Sequence, residues 1–239
     1  MLNLSARLMG RTKPVRSVWV ERFALVADRL VAEHGLPRLG NYRDPVREIF
    51  YIMLSAKTAD AQYRTTERLL NRRFPTVADL ANGQLADIRR CILSGGLAAK
   101  RSRTLRAAAR QLLRLGPRPS AVLKRLPVED AFTAIVALPG VGIKSAFCVL
   151  MYSLRADVFP VDVNCQRIAV RLGALAPGLS HQKAQAALAP LVPVGRSREL
   201  HVGMVVHGRT ICTPLRPKCD RCSLRPLCAY AKKHPPKES

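Results

Sequence analysis

The chain is organised around the nonapeptide Leu138-Pro139-Gly140-Val141-Gly142-Ile143-Lys144-Ser145-Ala146. The apolar run that leads into it, residues 131–138, predicts a helix, the Pro-Gly-Val-Gly segment predicts a tight turn, and residues 143–154 predict a second helix. We therefore expect a helix-hairpin-helix, in which Gly140 and Gly142 take backbone conformations that a side chain would forbid. Backbone N–H groups of this turn would face outward at the positive end of the second helix, where such groups bind phosphate.

Two side chains near this turn are candidates for chemistry. Lys144 falls in the first turn of the second helix, where the helix dipole disfavours an extra positive charge, and a neutral amine is a nucleophile. The alternative is that Lys144 is one more phosphate contact. Asp162 follows 18 residues later, at the start of a further helix, where aspartate is also a good N-cap. The capping role and a chemical role can coexist.

The charge of the chain indicates a polyanionic partner. It has 40 lysines and arginines against 16 acidic residues, a net charge of +24 spread along its 239 residues. DNA, RNA and a membrane surface would each satisfy this charge. No apolar run approaches the roughly 20 residues that a membrane span needs, and residues 1–16 form a basic arm without the apolar core of a signal peptide. We expect a soluble, intracellular protein whose cysteines are thiols or metal ligands.

Four cysteines near the C-terminus form the second motif, with six, two and five residues between successive members: Cys212, Cys219, Cys222 and Cys228. Thiolates so close in one loop repel each other unless a metal compensates their charge, and sulfur ligands favour zinc or an iron–sulfur cluster. Zinc sites more often pair two C-x2-C hooks, and only one hook is present here. The same loop carries Arg216, Lys218 and Arg221, so ordering it would hold a basic surface against phosphates.

These motifs together resemble the endonuclease III family of helix-hairpin-helix DNA glycosylases. The resemblance rests on the LPGVG-x-K pattern, on the 18-residue spacing from Lys144 to Asp162, on the spacing of the four cysteines, and on the preceding segment 207–209. It implies that Lys144 and Asp162 are catalytic, that the four cysteines hold a 4Fe-4S cluster, and that Gly140, Val141 and Gly142 bind DNA.

The fold that the resemblance implies is all-α, with two helical lobes. One lobe is a helical barrel of residues 38–155 that contains the helix-hairpin-helix. The other is built from residues 17–37 plus 156–239 and carries the cluster, and DNA would lie across the groove between the lobes. The sequence agrees, because none of its segments shows the alternation expected of strands.

Two looser loops extend the resemblance. The family places a glutamine where this chain has Lys57. In the family, the glutamine side chain is understood to enter the duplex and fill the gap left by the extruded nucleotide. Lysine lacks the acceptor of an amide, so its pairing preference should differ. Leu97 stands where the family has a leucine wedge that unstacks bases, a known device for kinking DNA. The alternative is that Leu97 docks on the helix that follows it.

The resemblance implies a base-excision-repair glycosylase with AP lyase activity that removes oxidised pyrimidines and nicks abasic DNA. Its partner would be double-stranded DNA with damaged bases or abasic sites, and we expect a monomer in the cytoplasm, associated with the nucleoid if the source is bacterial. One alternative is a monofunctional adenine glycosylase, against which Lys144 argues because that branch lacks the lysine. Another is a DNA-binding paralogue with weak or lost catalysis, since Lys57, Ala98 and Asn164 depart from the family pattern.

We expect no catalytic role and no role as metal ligands for the remaining histidines and cysteines. We expect His207 to pack beside the cysteine loop, whereas His34, His181, His201 and His234 show no spacing typical of metal ligands or catalytic groups. Three further cysteines lie on apolar helical segments and are expected to be buried thiols: Cys91, Cys148 and Cys165.

Overall fold

Apolar residues recur at helical spacing along nearly every segment of the chain, and helices form wherever they do. The computed structural model describes residues 13–55, 60–93 and 97–234, and no strand occurs within those ranges. The helices in chain order are α1 (Lys13–His34), α2 (Pro45–Ser55), α3 (Asp60–Arg73), α4 (Val77–Asn82), α5 (Leu85–Cys91), α6 (Ala98–Leu113), α7 (Pro119–Arg125), α8 (Val128–Val136), α9 (Ile143–Tyr152), α10 (Val163–Leu172), α11 (His181–Leu188), α12 (Ser197–Thr210) and α13 (Ala229–Lys233). The all-α prediction is therefore confirmed.

The chain divides into two compact units. One runs from Asn41 to Ala156 and holds α2 to α9, including the α8–α9 hairpin. The other combines Met1–Gly40 with Asp157–Ser239 and holds α1 and α10 to α13. The described part of the chain contains no helix of the length and apolarity needed to cross a membrane.

Helix α2 is the centre of the Asn41–Ala156 unit. It begins as the sequence predicts, because Asp44 precedes Pro45 and its Oδ1 accepts the N–H of Arg47 at 2.9 Å. From Pro45 to Leu54 nearly every side chain is buried, and the helix packs against α3, α7 and α9. Helix α6 lies across α4 and α5, and α8 packs on α9. The hairpin is thus fixed to the most buried helix of its unit.

In the other unit, α1 packs against α12 and α10 packs against α12 and α13. The α1–α12 contact is close because Gly203 has no side chain: a Cβ there would lie 2.8 Å from the Cβ of Leu30. Phe23, Leu30 and Leu200 are fully buried at this contact, and each such side chain stabilises the fold by about 1.5–3 kcal/mol relative to exposure. Trp19 is partly buried against the same core.

Two details differ from the sequence prediction. Helix α7 was not predicted, because Gly116-Pro117-Arg118-Pro119 indicates a break; Pro119 instead starts the helix as its first residue, a position where proline is favoured. Cys148 and Cys165 are buried as expected, but Cys91, near the end of α5, is only partly buried. Its thiol is therefore not a full member of the core.

Candidate active site and cysteine centre

The hairpin turn contains Gly140 and ends at Gly142, the residue directly before α9. Gly140 has φ +79°, and a Cβ at this position would lie 2.4 Å from Cγ2 of Thr104, so glycine is required twice over. Gly142 is the N-cap of α9 with φ −93° and ψ 173°, and a Cβ there would meet no atom within 4 Å. The expectation that Gly142 needs a forbidden conformation is therefore wrong, because extended backbone suits any residue. What Gly142 provides is open space.

The N–H groups at this turn are partly engaged. The N–H of Val141, a predicted DNA contact, donates to the carbonyl of Leu138 at 3.1 Å and so closes the turn. The side chain of Val141 is buried, so it anchors the turn to the hydrophobic core. The first hydrogen bond inside α9 runs from Ala146 N to Gly142 O at 2.9 Å, so the N–H groups of residues 143–145 lie ahead of it. These groups are the ones that a phosphate could reach.

Lys144 lies in the first turn of α9 and is exposed. Glu48 on α2 interacts electrostatically with it and is fully buried. Its carboxylate accepts the N–H of Tyr42 at 2.7 Å and the side-chain amide of Asn41 at 2.5 Å. Burial raises the pKa of Glu48 to about 7, although these two hydrogen bonds and the charge of Lys144 oppose the rise. Sequence reasoning overlooked Glu48, for which the available signal was an acidic residue inside the apolar run of α2.

Asp162 is the N-cap of α10, as predicted. Its Oδ1 accepts the N–H groups of Asn164 and Cys165 at 2.9 and 2.8 Å, and its Oδ2 accepts the side-chain amide of Asn164 at 2.9 Å. Burial alone would raise the pKa of Asp162, but the charge of His201 and these hydrogen bonds outweigh it and leave the pKa below its ordinary value. The carboxylate is therefore ionised and held in one orientation at neutral pH.

Asn164 is itself held in place by Arg167. Its Oδ1 accepts from Nη2 of Arg167 at 2.8 Å, and the same nitrogen donates to the carbonyl of Gly208 at 2.8 Å. The Asn164 side chain thus links the carboxylate of Asp162 to α12. In the family pattern a histidine stands here, and the structure shows that asparagine can clamp this carboxylate.

The other predicted site residues lie as follows. Lys144 belongs to the Asn41–Ala156 unit and Asp162 to the other unit. Lys57 lies outside the described residues. Leu97 caps α6 in the left-handed conformation, with φ 50° and ψ 29°, and is 66% exposed. That exposure argues against the alternative in which Leu97 docks on the following helix.

All four cysteines line one cavity, together with Arg171 and Tyr230. Nη1 of Arg171 donates to Sγ of Cys212 at 3.1 Å and to the carbonyl of Thr213 at 2.8 Å. The guanidinium also lies over the ring of Tyr230, with its central carbon 4.9 Å from the ring centroid. Arg171 had not been predicted, because α10 and the loop meet only in the fold.

His207 packs beside this loop, as expected. It is fully buried, and its Nε2 lies 3.3 Å from Sγ of Cys222. Burial, together with the charges of Cys212 and Cys228, raises the pKa of the Cys222 thiol to about 11. Burial and the neighbouring cysteines likewise raise the pKa of Cys219. These thiols can all ionise at neutral pH only if a cation offsets their charge, so the set of four sulfur donors fits a zinc ion or an iron–sulfur cluster.

The predicted basic contacts of this loop are on the surface. Arg216, Lys218 and Arg221 are all exposed. Arg225, by contrast, is paired with Asp220 at 3.3 Å. The three exposed cations therefore remain available to an anionic partner.

Comparison with known proteins places this arrangement in a class. Residues 50–193 match the family described as HhH-GPD superfamily base excision DNA repair protein. This match spans more than half of the chain and defines the class, a helix-hairpin-helix protein of base excision DNA repair.

Its relatives narrow the class further. Endonuclease III of Thermotoga maritima is 28% identical over 195 residues, 81% of this chain and 87% of the relative. Endonuclease III of Buchnera aphidicola is 30% identical over 189 residues, 77% of this chain and 81% of the relative. The chain belongs to the endonuclease III family within that superfamily. A solved structure of a trapped endonuclease III–DNA covalent intermediate has the same fold, with a TM-score of 0.78 at 23% identity over 90% of this chain and 97% of that one.

Proposed function

We propose that this protein is a DNA glycosylase with AP lyase activity, which excises oxidised pyrimidines from double-stranded DNA and nicks abasic sites. The observation that carries the proposal is the placement of its two key side chains in a chain of the endonuclease III family: Lys144 is in the first turn of α9, and an ionised Asp162 caps α10. The structural relative that was trapped as a covalent complex with DNA supports a covalent route.

The first chemical step is attack of the amine on the sugar. A damaged nucleotide must leave the base stack, because its C1′ is out of reach inside the duplex. The neutral amine of Lys144 forms a bond to C1′, and the N-glycosidic bond breaks with its electron pair going to the departing base. Asp162, whose pKa is low, stays negative and offsets the positive charge that develops on the sugar.

The second step breaks the strand. The sugar ring then opens: the C1′–O4′ bond breaks with its electron pair going to O4′, which takes up a proton and remains on C4′ as a hydroxyl. A Schiff base is left between C1′ and the Lys144 nitrogen, and it acidifies the hydrogen on C2′. Removal of that proton forms a C2′–C3′ double bond, and the C3′–O bond breaks with the 3′ phosphate as the leaving group. Hydrolysis of the imine returns Lys144 to its free form.

We also propose that the four cysteines hold a 4Fe-4S cluster. Four buried or half-buried sulfur donors line one cavity, and their spacing matches the family. When bound, the cluster would cross-link a loop that has only short 3-10 turns of its own, and so hold Arg216, Lys218 and Arg221 in place. Metal analysis distinguishes iron with inorganic sulfide from zinc.

The wider setting follows from the proposed chemistry. The partner is double-stranded DNA that contains damaged bases or abasic sites, bound by a monomer. If the source is bacterial, the protein works in the cytoplasm at the nucleoid. Leu97, exposed and in a conformation unfavourable for leucine, is suited to enter the base stack as a wedge.

The test is borohydride trapping on abasic duplex DNA together with nicking of thymine glycol duplex. Lys144→Ala should abolish both trapping and nicking while DNA binding persists. Lys124→Ala, which removes an exposed lysine of α7 in the same unit, should leave both intact. Trapping that survives in Lys144→Ala would remove Lys144 from this role.

Asp162→Asn provides the second arm. Asparagine is as good an N-cap as aspartate, so the fold should persist while turnover falls by about 100-fold or more. Unchanged turnover would refute the electrostatic role. A wild-type protein that binds DNA but neither excises nor nicks would instead support the non-catalytic paralogue, and excision of adenine without nicking would support the monofunctional alternative.

A further inference from the structure

Three side chains form a compact cluster beside the cysteine loop, where the end of α1 meets α12. Glu33 and His34 are the last two residues of α1, and His207 comes from α12. His34 Nε2 lies 3.1 Å from His207 Nδ1, His207 Nδ1 lies 3.3 Å from Glu33 Oε2, and that oxygen lies 3.6 Å from His34 Nε2. Three atoms that each can carry a lone pair therefore form a nearly equilateral triangle.

The dimensions of this triangle suit a tetrahedral metal ion. Zinc binds histidine nitrogen and carboxylate oxygen at about 2.0–2.2 Å, which places two ligand atoms of a tetrahedron about 3.3–3.5 Å apart. The three observed separations, 3.1, 3.3 and 3.6 Å, bracket this value. The two imidazole rings are tilted by 59° to each other with their centroids 5.3 Å apart, so the rings do not stack.

The contacts behind the triangle orient its members in the way that ligands of a metal are usually oriented. Nε2 of His207 lies 3.3 Å from Sγ of Cys222, and if it donates its proton to that sulfur, Nδ1 is left with its lone pair. The hydroxyl of Ser223 donates to Oε2 of Glu33 at 2.5 Å, which leaves the second lone pair of that oxygen for an ion.

In this tautomer of His207, a cation would also remove an electrostatic repulsion. With Nδ1 of His207 unprotonated, its lone pair faces the carboxylate of Glu33 at 3.3 Å, and two acceptors at that distance repel each other. A hydrogen bond from His34 would satisfy the nitrogen, and the hydroxyl of Ser223 satisfies one lone pair of the carboxylate, but neither places a positive charge between the two acceptors. A divalent ion between them satisfies all three atoms, and its position at the C-terminal end of α1 is favoured by the helix dipole.

We propose that Glu33, His34 and His207 form a binding site for a divalent transition metal ion, with Zn²⁺ as the best match. The ligand set of two imidazoles and one carboxylate leaves a fourth position for water. The side chains of His34 and Glu33 are 11% and 22% exposed, so an ion can enter from solvent, while His207 is sealed in the core. The site is separate from the four cysteines, and it would fasten the end of α1 to α12.

The experiment measures zinc and iron in the same sample of the full-length protein after dialysis against Zn²⁺ and then metal-free buffer. Wild type should retain one zinc per chain in addition to its iron. His34→Ala and Glu33→Gln should each bind zinc at least about tenfold more weakly, with iron unchanged. His181→Gln, which removes an exposed histidine of α11 in the same unit, should bind zinc like wild type.

X-ray absorption at the zinc edge identifies the ligands independently of activity. Nitrogen and oxygen neighbours without sulfur are expected. Sulfur neighbours, or zinc that persists in both His34→Ala and Glu33→Gln, would place the zinc at the cysteines and overturn the site. If wild type retains no zinc above the level of His34→Ala, the three side chains form a hydrogen-bonded cluster and the proposal fails.

Discussion

Glu48 shows how one buried carboxyl can make folding depend on pH. Folding raises its pKa from 4.5 to about 7, so the folded state binds a proton more tightly than the unfolded chain does. The stabilisation that this provides is complete below the unfolded pKa and is lost as the pH rises through about 7. A shift of this size corresponds to about 3 kcal/mol.

Glu48→Gln tests this linkage, because glutamine is neutral at every pH and has nearly the shape of the protonated acid. In urea denaturation between about pH 5 and pH 8, wild type should lose stability as the pH rises, whereas Glu48→Gln should change less and be the more stable protein at the upper end. Glu129→Gln, at an exposed position of α8, should keep the wild-type slope. Parallel pH profiles for wild type and Glu48→Gln would contradict this account.

Leu97 has a left-handed backbone conformation, which is unfavourable for a leucine. A leucine in the left-handed region costs about 1–2 kcal/mol, and its side chain, 66% exposed, recovers little of this by packing. Leu97→Ala keeps that backbone strain and removes the apolar tip, whereas Leu97→Gly removes both.

We therefore expect Leu97→Gly to be more stable than Leu97→Ala in thermal unfolding, while the two variants lose base excision to a similar extent. Equal stability would show that the backbone at this position is not strained. Excision at the wild-type rate in both variants would show that the leucine tip does not enter the DNA.

At this scale, the sequence predicts what is local and misses what is distant. The capping role of Asp162 was predictable because its donors are two and three residues away. His34 was set aside because its neighbour His207 is 173 residues distant, a proximity that no spacing rule detects. Arg171 was missed for the same reason, since its contact with Cys212 spans 41 residues.

In the hairpin between α8 and α9, Gly140 and Gly142 serve different purposes: we expect Gly140 to matter for stability and Gly142 for DNA binding. Gly140→Ala would force a side chain into the left-handed region and against Thr104, and it should cost about 1–2 kcal/mol or more of stability. Gly142→Ala meets no atom and needs no unusual backbone, so its stability should lie within about 0.5 kcal/mol of wild type.

If the start of α9 binds phosphate, Gly142→Ala should nevertheless weaken DNA binding, because its methyl group would occupy the open space ahead of the N–H groups. Fluorescence anisotropy with an abasic duplex and urea denaturation measure the two properties. Full DNA affinity in Gly142→Ala would exclude the hairpin from the DNA contact, and normal stability in Gly140→Ala would contradict the packing argument.

The extents of the helices show why periodicity succeeds for most of the chain. Helix α9 begins at the predicted residue and ends two residues before the predicted end of 143–154, because its apolar positions recur every three or four residues. Helix α7 was missed because it has seven residues and begins at a proline, so its pattern is too short to stand out from a turn.

For the whole molecule, the net charge of +24 makes DNA affinity depend on salt, since each phosphate contact releases counterions. Arg216, Lys218 and Arg221 are exposed, and within the described residues none of them forms an ion pair of the kind that Arg225 forms with Asp220. Each should therefore contribute to this salt dependence. Changing any one of them to glutamine should reduce the slope of log affinity against log salt by about 0.9, with stability unchanged within about 0.5 kcal/mol.

Arg198→Gln is the matched control, an exposed arginine in the first turn of α12, while the cysteine loop follows the other end of that helix. Equal slopes for the loop variants and Arg198→Gln would show that the charge of the chain acts as a diffuse field and that the cysteine loop makes no phosphate contacts of its own.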